Sequence, residues 1–198
     1  IRTNLWEYSY ISTRNPLFNE LAEKNYLLKN ADGTPYVHRW FPQPYDKSWP
    51  HLMPSGIIDF TNPDAYNWYC DQHKQLFDIG ISVMKTDYGE AVPIDIVAFN
   101  GDSGNRLHNV YTHLYNRCVF EATELYSHDE PMIWGRAAWA GGQRYPIQWG
   151  GDPQSDWEGL AASIRGGLAW GMSGGPFYAH DIGGFAIGNP KPELYIRW

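Results

Sequence analysis

Two carboxylates stand out by their surroundings. Asp87 ends the β-rich run Ile81-Ser82-Val83-Met84-Lys85-Thr86 and is followed by Tyr88-Gly89-Glu90. An acid in that position sits at the rim of a sheet. Asp152 lies in Trp149-Gly150-Gly151-Asp152-Pro153. Two glycines there let the backbone take positive φ or approach a ligand closely, and Trp149 offers a stacking face. Each Asp taken alone also reads as an ordinary loop residue. Two such groups on neighbouring strand ends suit paired acid/base work of the kind glycoside hydrolysis needs, where one carboxylate attacks or activates water and the other protonates the leaving oxygen. Arg136 and Lys85 end or nearly end strands, so both suit sugar hydroxyls or the task of keeping a carboxylate ionised. A structural ion pair in a barrel mouth accommodates them equally well.

Other chemistries find less support. His180-Asp181 are adjacent on a strand and point to opposite faces, while His108 and His113 are five apart on a helix, a poor chelating step. No metal site is expected. No Gly-x-Ser-x-Gly elbow and no Gly-x-Gly-x-x-Gly turn occurs, so an acyl-transfer serine and a dinucleotide fold lack support and no cofactor is expected. The formal net charge is −7 with scattered basic residues, which argues against a nucleic-acid surface. No apolar run approaches the roughly 20 residues that span a bilayer. Ten Trp and fourteen Tyr make either a large core or a site for the C–H faces of sugar rings. Cys70 and Cys118 fall in predicted helices on core-like stretches, where buried free thiols are expected; a cytoplasmic location is a weak expectation from them.

The elements that must position these groups alternate. Residues 4–8 predict a buried strand. A Pro-rich stretch follows to about residue 56, with a turn at Asn30-Ala31-Asp32-Gly33. A loop this long is usually functional or poorly ordered. The insertion at about 30–56, with Trp40, Tyr45 and Trp49, either covers a cleft or mediates assembly. Residues 56–60 predict a strand. Asn62 as N-cap and Pro63 at the first helical position open a helix to residue 79, closed by Gly80. A strand over 81–86 and a helix over about 105–126 follow; the helix stripe runs from Leu107 to Leu125. Residues 131–136 form the next strand. Ser155-Asp156-Trp157-Glu158 predicts a capping box opening a helix with Leu160, Ile164 and Leu168 inward. Residues 176–179 make a strand ending at His180-Asp181. Strand and helix in alternation mean parallel strands with crossovers. Polar groups at successive strand ends (Asp59, Asp87, Arg136, Asp181) favour a barrel over an open sheet. The expected fold class is α/β, an incomplete (β/α)8 TIM barrel, with residues 1–198 as one partial domain carrying the 30–56 insertion.

With these residues in view, the chain resembles the family 31 glycoside hydrolases, the α-glucosidase and α-xylosidase group. Five stretches carry the resemblance: Trp6 through Pro16-Leu17-Phe18; Asp59-Phe60-Thr61-Asn62-Pro63; Lys85 through Glu90; Trp149-Gly150-Gly151-Asp152; and Ser173-Gly174 through His180-Asp181-Ile182-Gly183-Gly184-Phe185. All five occur in order. The resemblance implies Asp87 as nucleophile and Asp152 as acid/base in a double displacement with net retention. It also implies that Arg136 and Asp181 bind sugar hydroxyls and that Trp6, Lys85, Tyr88, Trp149 and Phe185 line the subsite. Asp87, near Lys85 and Arg136, is expected as the ionised member. Asp152, opposite a second carboxylate and beside Trp149, is expected to hold its proton more tightly.

The implied activity is hydrolysis of terminal α-glucosides or α-xylosides. An α-glucan transglycosylase using the same carboxylates and a non-catalytic carbohydrate-binding homologue stay open as alternatives. Tyr8-Ser9-Tyr10, Gly175-Pro176 and Ala179 depart from the family's usual runs and bear on sugar preference. The chain opens without Met and stops inside an incipient helix at Pro192–Trp198. The expectation is a fragment whose isolated 198 residues neither close a barrel nor turn over substrate. A homo-oligomer of the full-length protein stays open.

Overall fold

The computed structural model describes residues 2–40, 53–145, 147–186 and 188–198. Strand β1 (Thr3–Tyr8) leads through buried Ser9 into a small antiparallel sheet made of β2 (Tyr10–Ser12), β3 (Val37–His38) and β4 (Ser55–Ile57), ordered β2-β4-β3. Helix α1 (Leu17–Glu23) crosses between its first two strands. The chain continues through α2 (Pro63–Gln72), α3 (Lys74–Asp78), β5 (Ile81–Asp87), α4 (Gly104–Leu107), α5 (Tyr111–Tyr126), β6 (Ile133–Gly135), β7 (Ile147–Trp149), α6 (Trp157–Met172), β8 (Phe177–Ala179) and α7 (Pro192–Arg197). The main sheet is β1-β5-β6-β7-β8, and every pairing in it is parallel. Successive strands lie side by side, as in a barrel wall, but among the described residues the sheet does not close.

Alternation along β5 decides which side chains reach the site. Met84 and Thr86 face α5, where Thr86 Oγ1 donates to Asn116 Oδ1 at 2.7 Å. Lys85 and Asp87 therefore point the other way. Asn116 also donates from Nδ2 to Ala137 O at 3.0 Å, just past β6. Gly135 makes this possible, because a Cβ there would come within 3.0 Å of Asn116 Nδ2 and 3.2 Å of Thr86 Oγ1. Helix α5 buries Tyr111, Tyr115, Cys118, Val119 and Ala122 at helical spacing, against Met84, Ile133 and Phe60. Cys118 and Cys70 are buried free thiols.

Several sequence expectations shift. The strand at 56–60 does not join the parallel sheet. Residues 55–57 form β4 of the antiparallel sheet, where Ile57 pairs with Tyr10. Asp59 consequently follows a strand of the antiparallel sheet and not one of the parallel sheet. It is buried, accepts from Thr61 N, Thr61 Oγ1 and Phe99 N at 2.9, 2.7 and 2.6 Å, and anchors a loop. The expected helix over 64–79 breaks at His73, and the one over 105–126 breaks at residues 108–110. Asp156, not Ser155, caps α6, accepting from Gly159 N at 2.7 Å. Ile164 and Leu168 are 52% and 67% exposed rather than inward. The face of α6 toward β8 is instead built of small residues, because the Tyr178 ring fills the space a Cβ on Gly167 would need. Residues 41–52 of the 30–56 insertion, with Tyr45 and Trp49, lie outside the described residues; Trp40 packs on Tyr88 with ring centroids 4.6 Å apart.

The break at His73 has a polar cause. Its Nε2 meets Glu7 Oε2 from β1 at 2.8 Å, and its Nδ1 meets Tyr69 O at 2.9 Å. Both ring nitrogens face acceptors, which only the imidazolium satisfies. Burial alone would lower the His73 pKa, but the Glu7 carboxylate and the carbonyls of Tyr69 and Cys70 outweigh it and raise the pKa to about 9. The folded pKa thus stands above the unfolded value near 6.5. Stability from this pair is complete below about pH 6.5 and is lost as pH rises through about 9. In the intact protein, His73→Gln is expected to cost about 3 kcal/mol at pH 6 and progressively less above pH 8. Thermal melts of both proteins across pH 6–10 check it, and parallel stability–pH curves would sink the assignment.

Candidate active site

Three strand ends meet at one guanidinium. Arg136 follows β6, and its backbone N–H donates to Thr86 O at 3.0 Å, so the strand ladder itself carries the side chain toward Asp87. Arg136 Nη1 lies 3.0 Å from Asp87 Oδ1 and 3.7 Å from Asp152 Oδ2. Nη2 pairs with Glu90. The guanidinium also packs on the Tyr88 ring, 4.4 Å from its centroid. Arg136 is 17% exposed at its side chain and Asp87 10%, whereas Asp152 is 43% exposed.

Asp87 is held from three sides. Trp6 Nε1 on the neighbouring strand donates to Oδ2 at 2.5 Å, and Tyr88 N donates to Oδ1 at 2.7 Å. Arg136 supplies the third contact. The register explains the first: Trp6 pairs with Lys85, and Tyr8 with Asp87. Tyr88 and Gly89 then both take positive φ, 59° and 94°. A non-glycine residue in that region is uncommon and marks a constrained turn. The turn swings Glu90 back beside Asp87, so both meet Arg136.

Asp152 is positioned by a different device. Trp149 is fully buried and donates from Nε1 to Gly151 O at 2.8 Å. That bond, with Gly151 at φ 77°, folds the loop back over the strand end. Pro153 O accepts from Phe185 N at 2.8 Å and from Ala186 N at 3.1 Å, tying the loop after β8 to the one bearing Asp152. Partial burial raises the Asp152 pKa. The charge of Arg136 opposes this, Asp87 and Asp181 add to it, and Lys85 opposes it more weakly.

The expected site residues therefore converge, with differences of role. Asp87, Asp152 and Arg136 are in one cluster. Lys85 sits with Nζ 3.9 Å from the Trp149 ring centroid and 4.8 Å from that of Trp134. Trp149 thus offers Lys85 the face that sequence reasoning assigned to a ligand. Trp6 and Phe185 keep exposed ring surface, and Tyr88 flanks Arg136. Asp181 is felt at Asp152 through its charge. Glu90 was present in the Asp87 motif but not singled out; only its ion pair with Arg136 reveals it. Among the described residues no three His, Cys, Asp or Glu groups cluster as metal ligands, and no helix is long and apolar enough to cross a membrane.

Comparison with known proteins gives the family and the fold. Residues 1–198 match the family model described as glycosyl hydrolases family 31 TIM-barrel domain. The chain is 38% identical over 200 residues to an alpha-xylosidase from Emericella nidulans, covering all of this chain and 24% of that protein. It is 36% identical over 207 residues to alpha-xylosidase XylQ from Lactiplantibacillus pentosus, covering all of this chain and 25% of that one. A family 31 sulfoquinovosidase from E. rectale, solved with an aza-sugar inhibitor, superposes with a TM-score of 0.86 at 30% identity, over all of this chain and 30% of that chain. The chain thus spans about a quarter of the length of the curated relatives it matches.

The loop bearing Asp152 depends on Gly150, where a Cβ would overlap Tyr178 Oη and stand 3.3 Å from Cζ. Gly150→Ala is expected to destabilise by about 1 kcal/mol and to lower turnover. Gly150→Ala with Tyr178→Phe should recover most of both, as read by melting temperature and steady-state rates. A double variant no better than the single one would show that the clash lies elsewhere.

Proposed function

We propose that this chain, which belongs to glycosyl hydrolases family 31, supplies both catalytic carboxylates of a retaining α-glycosidase, with Asp87 as nucleophile and Asp152 as general acid/base. The observation that carries the reading is the single nitrogen, Arg136 Nη1, that contacts both Asp87 and Asp152. Oxygens sharing one nitrogen at 3.0 and 3.7 Å cannot be farther apart than about 7 Å. That ceiling, set for these two oxygens, admits the carboxylate separation of about 5–5.5 Å that retention needs.

The environments support the division of labour. Asp87 is fixed by Trp6, Tyr88 and Arg136, so one oxygen can be aimed at an anomeric carbon with little reorganisation. Asp152 is more exposed, and its proton is held above the usual carboxylate range by partial burial and by Asp87 and Asp181. It suits delivery of a proton to a leaving oxygen and its later recovery from water. In the first step the Asp87–carbon bond forms as the glycosidic C–O bond breaks, and the Asp152 proton goes to the departing oxygen. In the second, water attacks the same carbon, gives its proton to Asp152 and releases Asp87, so configuration is retained. Trp6, Tyr88 and Phe185 are the proposed walls of the sugar subsite, and Arg136, Lys85 and Asp181 its polar contacts. The names of the two relatives support an α-xyloside as substrate, and an alpha-glucosidase from Bacillus thermoamyloliquefaciens, 29% identical, keeps an α-glucoside beside it.

The test offers the intact protein aryl α-xyloside, α-glucoside and α-galactoside and reads the first-formed anomer by proton NMR. The α anomer is expected, with Asp87→Ala abolishing turnover. A β anomer would overturn the nucleophile assignment, and a sugar-transfer product in place of the free sugar would replace hydrolysis by transglycosylation. Asp152→Ala is expected to cost about 10²–10⁴-fold on alkyl leaving groups and much less on activated aryl ones. The pH–rate profile should carry a basic limb above the ordinary carboxylate range that disappears with Asp152; a limb that persists in Asp152→Ala would assign it to another group.

A further inference from the structure

We propose that Glu90 is a positioning residue for the catalytic pair: by holding Nη2 of Arg136 it keeps Nη1 between Asp87 and Asp152 and offsets the guanidinium charge that would otherwise draw the proton from Asp152. The inference rests on the acid/base assignment above.

The geometry is specific. Arg136 presents a rigid planar fork, and its two terminal nitrogens are divided, one toward the Asp87–Asp152 pair and the other to Glu90. Asp152 stands 3.7 Å from Nη1, beyond hydrogen-bond length. A guanidinium with a free edge would gain by rotating onto Asp152, since a bidentate Arg–carboxylate pair is the stronger arrangement. That pair would lock Asp152 as a carboxylate and remove it as an acid. Glu90 occupies the edge that such a rotation would use. The left-handed pair Tyr88 and Gly89 returns Glu90 to this place, and the Tyr88 ring under the guanidinium limits tilting.

The surrounding charges point the same way. Asp87 and Lys85 face the pair from β5, Arg136 from the end of β6, Asp152 from the loop after β7 and Asp181 from the loop after β8. Arg136 opposes the raised proton affinity of Asp152 more strongly than Lys85 does. A carboxylate bound to the far nitrogen weakens that opposition.

The test follows the Asp152 proton without turnover. The intact protein, carbon-13 labelled at its aspartate carboxyls, is titrated by NMR, with the Asp152 signal identified by its loss in Asp152→Asn. Glu90→Gln is expected to move the Asp152 midpoint toward acid by about half a pH unit or more, while Glu90→Asp, which keeps the charge, stays near the wild type. The basic limb of the pH–rate profile should move with it, and the loss of kcat should be larger on alkyl glycosides than on glycosyl fluorides, whose departure needs no acid. An unmoved midpoint in Glu90→Gln overturns the proposal, whether the variant melts as the wild type or lower. If the midpoint moves but the intact protein cleaves no α-glycoside, the glycosidase reading fails, and what stands is the hold of Glu90 on Arg136 and, through it, on the Asp152 proton.

Discussion

Two carboxylates held within a few ångströms of each other repel, and the simplest stable solution is a cation between them. Arg136 is that cation. Its Nη1 contacts both Asp87 and Asp152, its Nη2 is engaged by Glu90, and its plane rests on Tyr88. Much of the nearby fold serves to bring this group to its place. The β5–β6 ladder sets its backbone through Thr86 O. Asn116 then bridges Thr86 and Ala137 from α5, and Gly135 leaves the room for that bridge. A larger residue at 135 would press on the same amide that aligns the two strands.

The two carboxylates are held with unequal firmness. Asp87 has an indole N–H, a backbone N–H and a guanidinium on it, and is nearly buried. Asp152 is carried on a loop whose shape comes from the internal bond between Trp149 and Gly151 and from the tie between Pro153 and the loop after β8. A nucleophile gains from fixed direction, whereas an acid that serves twice, first as donor and then as base, must reach a leaving oxygen and later a water. Under the proposed roles, the burial contrast between them is a chemical difference expressed in packing.

The antiparallel sheet is where local reading and structure part most clearly. Residues 56–60 have the pattern of a buried strand ending in a carboxylate, which is the pattern of a barrel strand. Nothing local distinguishes the two. Pairing decides: Ile57 lies opposite Tyr10, Ile58 bridges Leu27, and Asp59 is spent on Thr61 and Phe99. The break at His73 was equally hidden, since the apolar spacing continues through it. Its cause, Glu7, is 66 residues away. On α6 the apolar residues Ile164 and Leu168 are exposed, contrary to the inward stripe the sequence suggests, and the side toward β8 is set by the room the Tyr178 ring takes.

What the sequence determined alone was local: strands near β1, β5, β6 and β8, helices near α2, α5 and α6, Asp87 after a β-rich run, and Asp152 behind two glycines beside a tryptophan, while β2, β3, β7 and α1 went unread. Those signals are local, because strand alternation, helix capping and glycine conformations depend on neighbours in the chain. Tertiary structure decided that Trp149 supports Lys85 and its own loop instead of offering an open face. It also decided that Asp59 is an anchor, and that Glu90 shares Arg136 with Asp87 and Asp152. These outcomes turn on which distant groups arrive within hydrogen-bonding reach. Charge and hydrogen-bond partnerships act through space over a few ångströms, and no spacing along the chain encodes them until the strands are side by side.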